Sequence, residues 1–262
     1  MCELFGISSK NNTEINNYLN TFYSHCNTNP HGWGIAIMEK NKNTIKKEPI
    51  KASDSTYLKE ILKKPIKVKN AFAHIRLGTI GEMKRCNCHP IELKDKQGEN
   101  WILAHNGTIF NNYLPLNTYK KIQKGTTDSE RILYYIIDNI NKENQKTKKP
   151  LTNKEKFNII NTIISEIAPE NKLNLLIYNN NITYIHTNFK NSLHYLKKDN
   201  SIIISTVPLT MENWKKVPLN TLIALKNGKI INQGEPHPNE YIESQSDLNF
   251  LNNCVPQIFL KK

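Results

Sequence analysis

The order of patterns along the chain predicts an α+β fold built on antiparallel sheets. Short β-like runs fill the first part of the chain, two strong helical patterns occupy the middle, and strand patterns joined by tight turns return from residue 172 onward. Strands, then helices, then strands suit hairpin-linked layers; a parallel sheet needs helices alternating with strands.

The opening strands are CELFGIS (2–8), GWGIAIM (32–38), AFAHIRLG (71–78) and WILAHNG (101–107). Six of the ten glycines (Gly6, Gly32, Gly34, Gly78, Gly81 and Gly107) lie in or beside these runs, so several strands are expected to end at one crowded place. Between them, residues 13–26 carry Ile15, Tyr18, Leu19 and Phe22 at helical spacing. A stronger helix follows in TDSERILYYIIDNI, where Thr127 and Glu130 form a capping-box pattern and Ile132, Leu133, Ile136, Ile137 and Ile140 share one face. The lysine-rich NKENQKTKKP reads as a surface loop, and residues 154–168 as another amphipathic helix. Beyond them, LNLLIYN, NITYIH, SLHYL, SIIIST, TLIALKNG and KIINQG read as strands, with hairpin turns at 179–181 and at Asn227-Gly228. Lys142 to Pro150 is the one candidate boundary; the chain is otherwise read as a single domain over 1–262.

Composition narrows the function classes. The formal net charge of +13 invites a nucleic-acid reading, but of the 36 basic residues only Arg76, Arg85 and Arg131 are arginine. Lysine spread over solvated faces lacks the planar forks that phosphate and base recognition favour, so no nucleic acid is expected as a partner. No apolar run reaches the length of a membrane span and no secretory signal opens the chain, so a cytoplasmic protein with reduced thiols at its five cysteines is expected. The run Cys86, Cys88, His89 has no second ligand cluster to complete a zinc site, so no metal is expected.

Chemistry gathers in five segments: Cys2; HGWGIA (31–36); AHIRLGTIG (73–81) with NCHP (87–90); AHNGTI (104–109); and TTDSE (126–130). If Met1 is trimmed, Cys2 carries a thiol and a free amine on one carbon. The amine titrates near about 7.7–8.0 and the thiol near about 8.5, so the amine can take the thiol proton. The alternative for Cys2 is a small buried residue opening a strand. Asn106 offers a side-chain amide and Gly107 a backbone N–H, unless the pair is a plain Asn-Gly turn. Arg76 offers a fork for a carboxylate or a surface ion pair. Asp128 offers a carboxylate that also suits a helix N-terminus.

In this combination and order the sequence resembles the class II glutamine amidotransferase domain, an N-terminal-nucleophile (Ntn) hydrolase. The resemblance covers residues 2 to about 137 as motifs and the remainder as a strand pattern. It implies a four-layer αββα sandwich with two antiparallel sheets. It also implies Cys2 as nucleophile, Asn106 and Gly107 as the oxyanion hole, Arg76 on the substrate carboxylate and Asp128 on its ammonium. Thr79 and His89 match positions lining the glutamine pocket, and Trp33-Gly34 matches the family signature beside the nucleophile. His31 stands where many relatives have Asp. The activity implied is release of ammonia from glutamine through a γ-glutamyl thioester, with no cofactor. The alternatives are hydrolysis of another γ-glutamyl amide or peptide, and a non-catalytic regulatory or binding module of the same fold. Well-known relatives fuse this domain to a synthase, so a synthase partner subunit is the expected acceptor of ammonia unless plain hydrolysis is the purpose.

Overall fold

A computed structural model describes residues 2–39, 42–111 and 113–254; Met1, on which the maturation of Cys2 turns, lies outside them, as does the side chain of Cys254. In chain order the elements are β1 (Glu3–Glu14), α1 (Asn16–Ser24), β2 (Trp33–Met38), β3 (Asn43–Glu48), α2 (Thr56–Leu62), β4 (Lys67–Ile75), β5 (Ile91–Lys94) and β6 (Asn100–Thr108). Then come α3 (Leu114–Asn117), α4 (Asp128–Thr147), α5 (Asn153–Ile167), β7 (Lys172–Asn179), β8 (Ile182–Thr187) and β9 (His194–Lys198). The last are β10 (Ser201–Ser205), β11 (Lys215–Lys216), β12 (Ile223–Lys226), β13 (Lys229–Gln233) and α6 (Gln245–Cys254).

One sheet has the order β11-β9-β10-β1-β4-β2-β3 and the other β13-β12-β8-β7-β6-β5, with every recorded pairing antiparallel. Side chains alternate across a strand, so each sheet has two faces to bury. Phe5, Ile7, Ala73 and Ile75 face α1 and α2, meeting Leu19, Phe22 and Leu58. Trp101, Leu103, Leu175 and Ile177 face α4 and α5, meeting Ile132, Ile136, Phe157 and Ile160. The intervening residues Leu4, Phe72, Ala36, Ala104, Leu176 and Ile204 pack between the sheets. The result is the αββα sandwich.

Local chemistry sets several boundaries. The first helix begins at Asn16 rather than within 13–26 as a whole, because Thr13 and Glu14 pair with Val68 and Lys67 across β4. The lysine-rich segment read as a loop is helical to Thr147, a correction to the sequence reading. Its cause is inward-facing asparagines: Asn141 accepts the Lys96 N–H and Asn144 the Leu151 N–H, each at 3.0 Å. The capping box expected at Thr127 and Glu130 is also corrected. Thr127 makes no side-chain cap bond, and the Glu130 carboxylate instead accepts the N–H groups of Lys124 and Gly125 at 2.8 and 2.7 Å. A capping box does form at Thr152 and Glu155, opening α5. Both expected hairpin turns are present, with positive φ at Asn180, Asn181, Asn227 and Gly228.

Candidate active site

Strand alternation decides which side chains meet. Leu4 faces the space between the sheets, and so, two residues earlier, does Cys2. Phe72 and Ala36 place His74, Arg76 and Gly34 on that face of the first sheet. Ala104 and Leu176 place Asn106, Thr108, Asn174 and Lys172 on the facing side of the second. Cys2 immediately precedes β1, Arg76 follows β4, and Asn106 and Gly107 lie within the last three residues of β6, all at one end of the sandwich. Trp33 and Gly34 open β2 at the same end.

The Cys2 thiol is half-buried, donating to the Leu77 carbonyl and accepting the Leu77 N–H, both at 3.2 Å. Burial pushes its pKa up, opposed by the Leu77 N–H and by the Arg76 guanidinium. Arg76 is buried, and its fork donates to the carbonyls of Ile80, Gly81 and Glu82 at 3.0, 2.8 and 3.1 Å. It is therefore not a surface ion pair. It organises the loop after β4, where Gly81 (φ +86) packs on Thr126 and Thr127, just ahead of Asp128. Thr79 is half-buried in that loop.

Asp128 begins α4 and is buried. One carboxylate oxygen accepts the Ile109 N–H at 2.8 Å and the other the Ser129 N–H at 2.9 Å. The helix start is thereby bolted to the end of β6. His105 adds a second bolt: its Nε2–H donates to the Lys172 carbonyl at 3.1 Å, and its Nδ1 lies 2.9 Å from the Ser129 hydroxyl. This is the neutral tautomer, and burial lowers the His105 pKa accordingly.

The direction of the Gly107 N–H follows from its neighbours. Leu173, its cross-strand partner, directs its N–H and carbonyl to Asn188 instead of to β6. Gly107 consequently points its N–H away from β7, on the same edge as the N–H of His105, which meets His89 Nδ1 at 3.4 Å, and the N–H of Ile109, which meets Asp128. A side chain at Gly107 would strike the Lys172 carbonyl and His105 Nε2, and one at Gly34 would strike the His89 carbonyl. Asn106 is thus not in a free Asn-Gly turn: both residues lie within β6.

His89 is buried, with Nδ1 3.1 Å from the His105 carbonyl and its ring 4.6 Å from that of His74. Burial and the neighbouring His74 hold its pKa well below the ordinary value. Its loop is pinned by Lys47, which donates to the carbonyls of Cys88 and Pro90 at 2.6 and 3.0 Å. His31 accepts the Gly78 N–H on Nδ1 at 2.8 Å and so fixes the turn after Arg76. Among the described residues no group of three or more His, Cys, Asp or Glu is arranged to hold a metal, and no helix is long and apolar enough to cross a membrane.

A cavity of about 750 Å³ lies at the other end of the sandwich, lined by Met38, Asn70, Asn100 and Tyr178 among others. It does not contain the candidate chemistry. Sequence reasoning missed His105 and Ser129, whose spacing of 24 residues carries no local pattern.

A sequence profile described as class-II glutamine amidotransferases matches residues 1–201. A putative glutamine amidotransferase of Haemophilus influenzae is 30% identical over 275 residues, spanning 93% of this chain and 90% of that protein. Among solved structures, the allosteric regulatory enzyme of purine biosynthesis superposes with a TM-score of 0.67 at 17% identity, over 89% of this chain and 48% of that one. This chain therefore spans about half the length of that enzyme. A predicted glutamine amidotransferase from Pseudomonas aeruginosa superposes with a TM-score of 0.62 at 18% identity, over 88% of this chain and 100% of that one. These likenesses in structure establish the fold as that of the Ntn hydrolases.

Proposed function

The chain belongs to the class II glutamine amidotransferases, and from that premise we propose that it cleaves the γ-amide of glutamine with Cys2 as its nucleophile. The observation that carries the reading is the shared inter-sheet face: Cys2, Arg76 and Asn106 face one space at one end of the sandwich, with the Gly107 N–H beside them.

The chemistry follows from those groups. The thiolate of Cys2 attacks the γ-carbonyl carbon, and the developing oxyanion takes hydrogen bonds from the Asn106 amide and the Gly107 N–H. Collapse expels ammonia, protonated by the group that accepted the thiol proton, and leaves a γ-glutamyl thioester. Water then attacks the thioester, freeing glutamate and restoring the thiol. Once Met1 is removed, the α-amine of Cys2 serves as the proton carrier. Arg76 binds the α-carboxylate with the donors its loop leaves to it, and the buried Asp128 carboxylate receives the α-ammonium; Thr79 and His89 shape the pocket between them. No cofactor enters these steps.

The test is covalent. A glutamine-like diazo-ketone labels Cys2 in the native chain and fails to label Cys2→Ala, as read by intact mass. An unlabelled native protein with Met1 retained makes the chain a non-catalytic module of this fold. A panel of γ-glutamyl amides assayed for glutamate release then separates the substrates. Preference for glutamine identifies an ammonia donor working with a synthase subunit, and preference for a larger γ-glutamyl amide identifies a free-standing hydrolase.

A further inference from the structure

The space between the sheets turns polar at the end remote from Cys2. On the inter-sheet face, β4 runs from Phe72 back to Asn70 and β6 from Ile102 back to Asn100, so two amides stand where apolar packing stops. Both line the cavity of about 750 Å³, beside Met38 and Tyr178. Asn70 is only 2% exposed, and burying an amide is costly unless each of its polar atoms finds a partner. The run of hydrogen bonds shows which atom goes without. Asn181 donates from Nδ2 to Asn227 Oδ1 at 3.3 Å, which leaves its own Oδ1 to accept the Asn70 Nδ2–H at 2.8 Å. The Oδ1 of Asn70 is left over. Among the described residues neither it nor the Oδ1 of Asn100 has a partner, although both atoms are buried. Two acceptors, one from each sheet, therefore await donors from something that enters the cavity.

The charges around the cavity favour an anion. Lys67, Lys69 and Lys226 line it, and among the described residues none of the three makes an ion pair. Two acids line it as well. Glu99 is paired with the buried Lys156 ammonium and accepts the Asn179 Nδ2–H at 3.2 Å, so its charge is answered within the protein. That leaves Glu39 against three lysines. The volume also lies within the range of about 300–1,000 Å³ usual for small-molecule sites, well beyond what one water or an inorganic ion fills.

We propose that this cavity is a second small-molecule site, taking a nucleoside monophosphate whose base carries an exocyclic amine. An amino group brings two N–H donors to a wall that offers two amide oxygens. The flat base packs on Tyr178 and Met38, and the lysines act on the phosphate as point charges. Uracil, with a carbonyl where cytosine has its amine, sets oxygen against oxygen and is refused. The site shares no residue with the proposed glutamine pocket, so it stands whether or not Cys2 is a nucleophile.

The experiment is a thermal melt and a calorimetric titration of the full chain with AMP, CMP and UMP. AMP and CMP are each expected to raise Tm by about 2–4 °C at about 5 mM, and UMP to bind roughly tenfold more weakly than CMP, from which it differs at that one amine. Asn70→Leu, which removes one acceptor and fills part of the space with apolar atoms, is expected to weaken CMP binding roughly tenfold. Should Asn70→Leu not fold, Lys226→Glu on the rim carries the test: it is expected to weaken CMP binding roughly threefold or more, with a smaller loss at high salt. Absence of binding by both AMP and CMP overturns the proposal and leaves the cavity to water. UMP binding as tightly as CMP overturns it too, as does native-like CMP affinity in the folded variants.

Discussion

Asp128 accepts the backbone N–H of Ile109 at 2.8 Å, joining the first residue of α4 to the end of the strand that carries Asn106 and Gly107. One carboxylate thereby fixes the spacing between the two sides of the proposed glutamine pocket. Replacing it by Ala leaves two buried N–H groups, those of Ile109 and Ser129, without their acceptor. Asp128→Ala is expected to lower unfolding free energy by about 1–3 kcal/mol and to abolish glutamate release. Asp128→Asn, which keeps one acceptor oxygen, is expected to recover part of the stability but not the activity. Urea unfolding and a glutamate assay on both variants check this.

Two glycines fit because other backbone segments press on them. Gly107→Ala drives a methyl into the Lys172 carbonyl, and Gly34→Ala drives one into that of His89. Each is expected to cost about 1–3 kcal/mol in stability. Gly107→Ala should in addition displace the proposed oxyanion donor, so its kcat falls at unchanged folded fraction. Circular dichroism melts and steady-state kinetics distinguish the two.

Arg76 reaches three carbonyls of its own loop with one planar fork. Lysine has the charge but not the geometry. Arg76→Lys is expected to raise KM for glutamine at least tenfold, about 1.4 kcal/mol, and to speed tryptic cutting after Lys84. A native-like KM would show that the fork serves the loop alone.

Acid should unfold this protein earlier than its net charge suggests. Burial, helped by the Arg76 guanidinium, brings the His74 pKa down to about 3, and burial beside His237 does the same for His186. Both are neutral in the fold and titrate near about 6.5 when unfolded. Because the unfolded chain binds more protons below that value, the stability they contribute is complete above about pH 6.5 and is lost as pH falls toward 3. Each contributes a slope of about 1.4 kcal/mol per pH unit in that window. Urea midpoints measured from pH 7.5 to 4 should fall steadily, and His74→Phe should flatten the decline.

Much of the proposed site could be read in the sequence because short motifs carry local chemistry. Cys2 at a strand start, His-Asn-Gly at a strand end and Asp128 at a helix start each announce themselves within a few residues. The hairpins at Asn180-Asn181 and Asn227-Gly228 were legible for the same reason: positive φ favours those residue types. What could not be read depends on distant segments meeting. Gly34 needs to be glycine because of residue 89, and Lys172 is buried by rings at 189 and 241. Glu130 looked like half of a capping box and instead turned back to the loop at 124–125. The segment after Ile140 looked solvated, yet Asn141 and Asn144 turn inward and extend the helix.

The strand that begins beside Cys2 is interior to its sheet, bordered on one side by β4 and on the other by β10, where Phe5 pairs with Ser205. During synthesis that second neighbour, residues 201–205, emerges nearly two hundred residues after β1. Until then the opening strand keeps a bare edge, open to mispairing with other chains. The proposed pocket therefore takes shape only once residues 201–205 have joined the sheet, so a chain cut ahead of Ser201 is expected to carry Cys2 on an unsupported strand.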